Sequence, residues 1–326
     1  WVSKLFVLIF DQLLLIKTLI EMFQDLKNYV NEYLYNKEVL GVSSSLEEFK
    51  RLLTMSIIKE CNSGIEVYEG YSPREITLML YSPFESDCPV QLNKLSSEEY
   101  AMIPIFRQVK RLMEVIEEKK ELKLTAKGNL PVKIVKELYS LGISDDFIEA
   151  GIYKLAKEQD SKRVRIVRIL AHSAGLIKKR KGVLSLTVEG VRNLKDDSLL
   201  LKTLIGAFCR KIDWEILDFM NIYGDIIRIE VAFSIVLLAR YGTEKRIEQF
   251  YAVKNYNAFP LYFESPVSED TLCWDYNNSY RERIIKGFMK HFGLIEFEPR
   301  EKMCDSIYLQ KTAIFDKLFR IIPPKQ

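Results

Sequence analysis

A repeated junction constrains the fold more than any other feature of the chain. A predicted helix over 162–173 runs into Ala174-Gly175-Leu176-Ile177, then a basic tip, Lys178-Lys179-Arg180-Lys181-Gly182, then the strand Leu184-Ser185-Leu186. A second predicted helix, over 279–291, runs into Phe292-Gly293-Leu294-Ile295 and a charged turn. The strand Ser306-Ile307-Tyr308-Leu309 follows, then Lys311-Thr312 and a last helix to about Arg320. Glycine just past a helix supplies the left-handed residue that closes it. Period-two alternation after it reads as a half-buried strand. Helix, tight stop, strand, charged turn, strand is the order of a winged helix, with the hairpin as wing.

A shorter match is also present. Leu122-Lys-Leu124-Thr125-Ala-Lys-Gly128 and Leu184-Ser-Leu186-Thr187-Val-Glu-Gly190 share L-x-L-T-x-x-G at a distance of 62 residues. Each predicts a short strand, a threonine capping the next helix or turn, and a glycine that permits a tight bend. These matches predict a mainly α, α+β protein: two or three winged-helix-like units with short β-wings around a helical middle domain. The expected division is 1–70 (helical), 71–140 (helical, with the first strand), 141–197 (winged helix), 198–265 (helical middle) and 266–326 (second winged helix).

Local signals place the other elements. Helices are expected over 22–36 and 46–60, and a short strand over 65–69. Ser72-Pro73-Arg74-Glu75 opens a helix that Ser82-Pro83 ends. A helix over 97–120 is broken by Pro104. Helix 198–209 precedes a Trp214-centred stretch. Helix 226–239 is apolar on most faces and reads as a core element. Residues 5–20 are very apolar, but Asp11, Gln12 and Lys17 interrupt them well short of the roughly 18–20 residues that span a bilayer. Residues 1–21 read either as sequence upstream of a start at Met22 or as an amphipathic helix of a longer protein.

Composition narrows the function classes. The 326 residues carry 48 basic and 45 acidic side chains, a net +3, so bulk charge names no partner. Five cysteines stand without CxxC spacing, which fits a reducing cytoplasm better than a disulfide framework or zinc site. No P-loop, dinucleotide, zincin or serine-hydrolase motif occurs, so no cofactor, metal or catalytic residue is implied. Asp213, Glu215 and Asp218 are the nearest approach to paired carboxylates, and they lack a histidine beside them. His172 and His291 have no local ligand partners and sit just before the two G-L-I turns. Tyr251, Tyr256, Phe259, Tyr262 and Phe263 read either as a recognition surface or, more commonly for such a cluster, as core packing with a turn at Pro260.

Charge is distributed unevenly. Segment 161–188 has no acid and eight bases: Lys162, Arg163, Arg165, Arg168, Lys178, Lys179, Arg180 and Lys181. It carries +8, leaving −5 for the rest. Arg165, Arg168 and His172 share one helical face, and residues 178–181 form the wing tip. In helix-turn-helix variants the second helix enters the major groove while basic side chains hold phosphates. The expectation is non-catalytic nucleic-acid binding, to duplex DNA, through these eight residues. The alternative is a protein-interaction adaptor whose basic face pairs with acids such as Glu114, Glu117, Glu118 and Glu121.

The stretches YSPREITLMLYSPF (71–84), LKLTAKGNLPVKIVKEL (122–138), KEQDS (157–161), AGLIKKRKGVLSLTVEG (174–190), LLARYGTEKR (237–246) and FYAVKNYNAFP (250–260) resemble a family of uncharacterised bacterial proteins. The resemblance spans about 71–260. It implies a cytoplasmic bacterial protein and transfers no activity or site.

Overall fold

Pro104 ends one helix and starts another, because it lacks an N–H and forces the residue before it out of the helical region. In the computed structural model, α2 (Ser97–Ala101) stops there and α3 (Pro104–Lys119) begins with the proline in its first turn. The structure describes residues 61–212, 226–259, 276–298 and 307–325, together with Met55, Ile58 and Lys59. Residues 1–21, the expected helix 22–36, most of helix 46–60, the Asp213–Asp218 acids, Tyr262, Phe263 and most of the second charged turn lie outside these.

The described chain divides into a smaller unit (up to Thr77, from Asn257 and from Pro323) and a larger one (78–256 and 267–322). In the smaller unit the expected strand at 65–69 is instead a 3-10 turn, Glu66–Tyr68. The Gly70 and Ile65 N–H groups bond within the same loop, to Ile65 and Tyr71 carbonyls, so no neighbouring strand is needed. The helix α1 (Pro73–Tyr81) opens as expected: Ser72 N–H donates to Glu75 (2.9 Å) and Glu75 N–H to Ser72 Oγ (3.3 Å).

The larger unit holds two copies of one topology. The first runs α3, β2 (Leu122–Lys123), α4 (Val132–Leu141), the short α5 (Asp146–Glu149), α6 (Lys162–Ser173), β3 (Ile177–Arg180) and β4 (Val183–Leu186). Its antiparallel sheet has the order β2-β4-β3. Helices α7 (Val188–Leu194) and α8 (Asp197–Arg210) follow. The second copy runs α9 (Ile226–Tyr241), β5 (Arg246–Ile247), α10 (Glu248–Ala258), a π-wound helix Arg281–Lys290, β6 (Ile295–Phe297) and β7 (Tyr308–Lys311). Its sheet order, β5-β7-β6, repeats the first. Then come α11 (Ala313–Leu318) and β8 (Phe319–Ile321), which pairs back onto β1 (Val90–Leu92).

The repeated junction is built from the same bonds in both copies. Gly175 and Gly293 are left-handed (φ 73° and 68°). Gly175 N–H donates to His172 O and Leu176 N–H to Ala171 O; Gly293 and Leu294 donate likewise to Lys290 O and Met289 O. Both glycines therefore close Schellman caps. The threonines that end the hairpins return to these caps. Thr187 Oγ1 donates to Gly175 O (2.6 Å), and Thr312 Oγ1 to Gly293 O (2.7 Å).

The L-x-L-T-x-x-G match has a different meaning. Leu122 pairs with Leu184 and Lys123 with Val183, so the two copies are neighbouring strands of one sheet, not equivalent parts of two modules. Their glycines differ too. Gly128 is left-handed in a turn (φ 77°), whereas Gly190 lies in α7, where a Cβ would collide with the Leu176 carbonyl oxygen.

The core runs between the copies. In α9 every residue from 230 to 238 is buried, in line with its apolar sequence. Phe208 of α8 meets Phe288 and Phe292 at 5.3 and 5.5 Å between ring centroids. Ile105 N–H at the start of α3 donates to His291 O (3.0 Å). No helix among the described residues is long and apolar enough to cross a membrane.

Candidate nucleic-acid interface

Ser161 caps α6 by accepting the Val164 N–H, which fixes the start of the helix and hence its faces. Val164, Ile166, Val167, Leu170 and Ala171 pack inward. That periodicity leaves Lys162 and His172 exposed and Arg163, Arg165 and Arg168 half-buried. Arg168 and Arg163 are both held by the protein itself. Arg168 Nε donates to Glu158 Oε1 at 2.6 Å, and Glu158 is buried while its other oxygen accepts the Leu130 N–H at 2.8 Å. Arg163 Nη1 donates to the Ser144 carbonyl. Sequence reasoning aims Arg168 at a groove; the structure gives it a buried acid.

The hairpin differs. Arg180 pairs with Val183, leaving Lys181 and Gly182 as a two-residue turn, both left-handed (φ 48° and 76°). Left-handed geometry at both turn positions matches the twist of the flanking strands. Lys178, Lys179, Arg180 and Lys181 are all exposed. None of the four makes an ion pair with an acid among the described residues. Two of the four acids weighed as partners are engaged nearer home: Glu114 and Glu118 both pair with Arg111. Of the eight expected residues, Lys162 and the four hairpin cations are thus free of the core, and three arginines are partly built into it.

Among its described residues, the corresponding helix of the second copy presents no basic face. Along its π-wound helix only Glu282 is exposed; Arg283, Ile284, Ile285, Gly287, Phe288 and Met289 are buried. Arg281 pairs at 2.6 Å with Glu248, whose side chain is 4% exposed.

This second copy instead encloses a polar cluster that the sequence did not flag. Glu230 of α9 accepts a hydrogen bond from Tyr276 (3.3 Å). Ser234 receives Asn255 Nδ2 (2.8 Å) and Tyr280 OH (2.9 Å). Burial pushes the Glu230 carboxyl well above the usual carboxylate range, opposed by the Tyr276 hydrogen bond and the Arg283 charge. Burial likewise raises the Tyr276, Tyr280 and Tyr251 phenols, the last to about 12. The spacing of Glu230 and Ser234, one turn apart, is the only sequence signal for it, and an apolar helix hides that signal. Among the described residues no group of three His, Cys, Asp or Glu side chains could hold a metal ion. Burial raises the Cys209 thiol to about 12, which makes it unreactive.

Fold and site together define a mainly α, α+β protein with an exposed basic hairpin. Residues 101–198 match the family described as the Y4jL N-terminal domain. The match covers under a third of the chain and coincides with the first topological copy, from the end of α2 into α8. No curated protein and no solved structure matches the chain.

Proposed function

We propose that the first copy, α3 to β4, is a winged helix and that the protein binds duplex DNA without catalysis, through α6 and the wing. The observation that carries this reading is the wing itself. Four consecutive cations stand exposed on a tight turn, none paired with an acid among the described residues. Cations held out in this way release phosphate counterions on binding, which supplies affinity. The strand order β2-β4-β3 after helix, strand and two helices supports the same assignment. A reducing, bacterial cytoplasm belongs to the proposal. Cys88 and Cys209, buried as free thiols, fit it.

The test is replacement of Lys178, Lys179, Arg180 and Lys181 by Ala. Affinity for a mixed-sequence duplex should fall, and the dependence of log affinity on log salt should flatten. Unchanged binding would remove the wing from the account. A second reading, a protein-interaction adaptor, is favoured by an apolar cluster beside α5. Ile152 and Tyr153 are 63% and 60% exposed, and the Tyr153 and Phe147 rings lie 5.6 Å apart. It predicts no duplex binding even at low salt.

A further inference from the structure

The pleat of the first sheet decides which cations act together. Side chains directly opposite across strands share a face, and so do residues two apart along one strand. Leu122, Leu184 and Ile177 are buried, so they define the inner face. Lys123 pairs with Val183, and Val183 with Arg180, while Lys178 pairs with Ser185. Lys123, Val183, Arg180, Ser185 and Lys178 therefore occupy the opposite, outer face.

On that face the floor is short-chained and only partly covered: Val183 and Ser185 are half-buried. Around it stand three exposed cations from two different strands. Arg180 and Lys178 are about 7 Å apart along β3, and Lys123 lies about 10 Å across the sheet from Arg180, from ordinary strand geometry. The floor admits an approaching backbone, and Ser185 offers it a hydroxyl. By contrast, Arg168 of α6 is committed to Glu158, and Arg163 donates to the Ser144 carbonyl.

We infer that the DNA backbone lies across the outer face of β2-β4-β3, with Lys123 as a binding residue, and that α6 contributes little base reading. This rests on the DNA-binding reading above and sharpens it. The contact is to phosphates, so binding is sequence-independent. Lys123 lies far from the basic segment in sequence and reaches the site only through strand pairing.

The experiment uses the full chain and two unrelated mixed-sequence duplexes, titrated with salt. Lys123→Ala, an exposed position, should weaken both duplexes equally by several-fold. It should flatten the log–log slope by about 0.9, the value of one phosphate contact. Lys123→Glu should weaken binding further. Arg165→Ala serves as the helix control and should alter the two duplexes alike and less than Lys123→Ala. If Lys123→Ala binds as the parent does while Arg165→Ala loses affinity for one duplex only, the sheet-face inference fails and DNA binding by the helix stands. If the parent chain binds neither duplex at low salt, the functional reading itself fails, and the inference with it.

Discussion

A salt bridge between one half-buried and one buried side chain holds the helix α6 to the loop before it. Glu158 joins Arg168 to the Leu130 backbone, so its removal or that of its partner strands a buried charge or donor. Arg168→Ala should cost about 3 kcal/mol in denaturant unfolding, typical of a buried pair that loses one partner. It should leave the salt slope of DNA binding nearly unchanged, whereas a groove-facing arginine would lower it. The sequence places Arg168 correctly on a helical face but carries no sign of its partner. Ten residues separate it from Glu158, and only the tertiary path of the 158–160 turn brings them together. Glycines give a second residue-scale contrast. Gly182→Ala should cost about 1–2 kcal/mol, the penalty of a left-handed side-chain-bearing residue. Gly190→Ala should cost about 2–3 kcal/mol, because its Cβ would press on the Leu176 carbonyl and force backbone to move. Thermal unfolding of both variants checks the order.

At the scale of elements, local chemistry made much of the fold legible. Ser72-Pro73 and Glu75, Pro104, and the two glycines before Leu176 and Leu294 act within a few residues of themselves. The helices they bound stand where the sequence puts them. Strands shorter than four residues escape this logic. The strand β5 is two residues long and shows no alternation, yet it joins the segment 226–258 to the C-terminal strands through Arg246 and Leu309. The strand β2 is visible as L-x-L, but its pairing with the second L-x-L is a tertiary fact. The same pairing brings Lys123 onto the basic face. The predicted equivalence of the two charged hairpins survives in their caps and strand order but not in the helices that precede them. One exposes Lys162 and His172; the other exposes only Glu282 and keeps Arg281, Lys286 and Lys290 half-buried.

Across the larger unit, the two copies meet where His291 lies. Its Nδ1 bonds the Lys286 carbonyl at 2.7 Å, and its own carbonyl accepts from Ile105 of the first copy. Burial holds the imidazole down from 6.5 to about 4 against that carbonyl, and the Arg163 and Lys290 charges act in the same direction as burial. The unfolded chain then binds the proton more readily than the folded one between these values. Stability should therefore be fully present above about 6.5 and fall as pH drops toward about 4. His291→Gln should flatten that part of the profile, measured by denaturant unfolding at a series of pH values. An unchanged slope would place the pH dependence elsewhere.

The proposed function requires the exposed basic hairpin Ile177–Leu186 to meet a polyanion. Affinity of the full chain for a mixed-sequence DNA duplex, measured across a range of salt, tests it directly. With four to six phosphate contacts, log affinity should fall against log salt with a slope between about −3.5 and −5.5. No binding at low salt, or binding indifferent to salt, would contradict it.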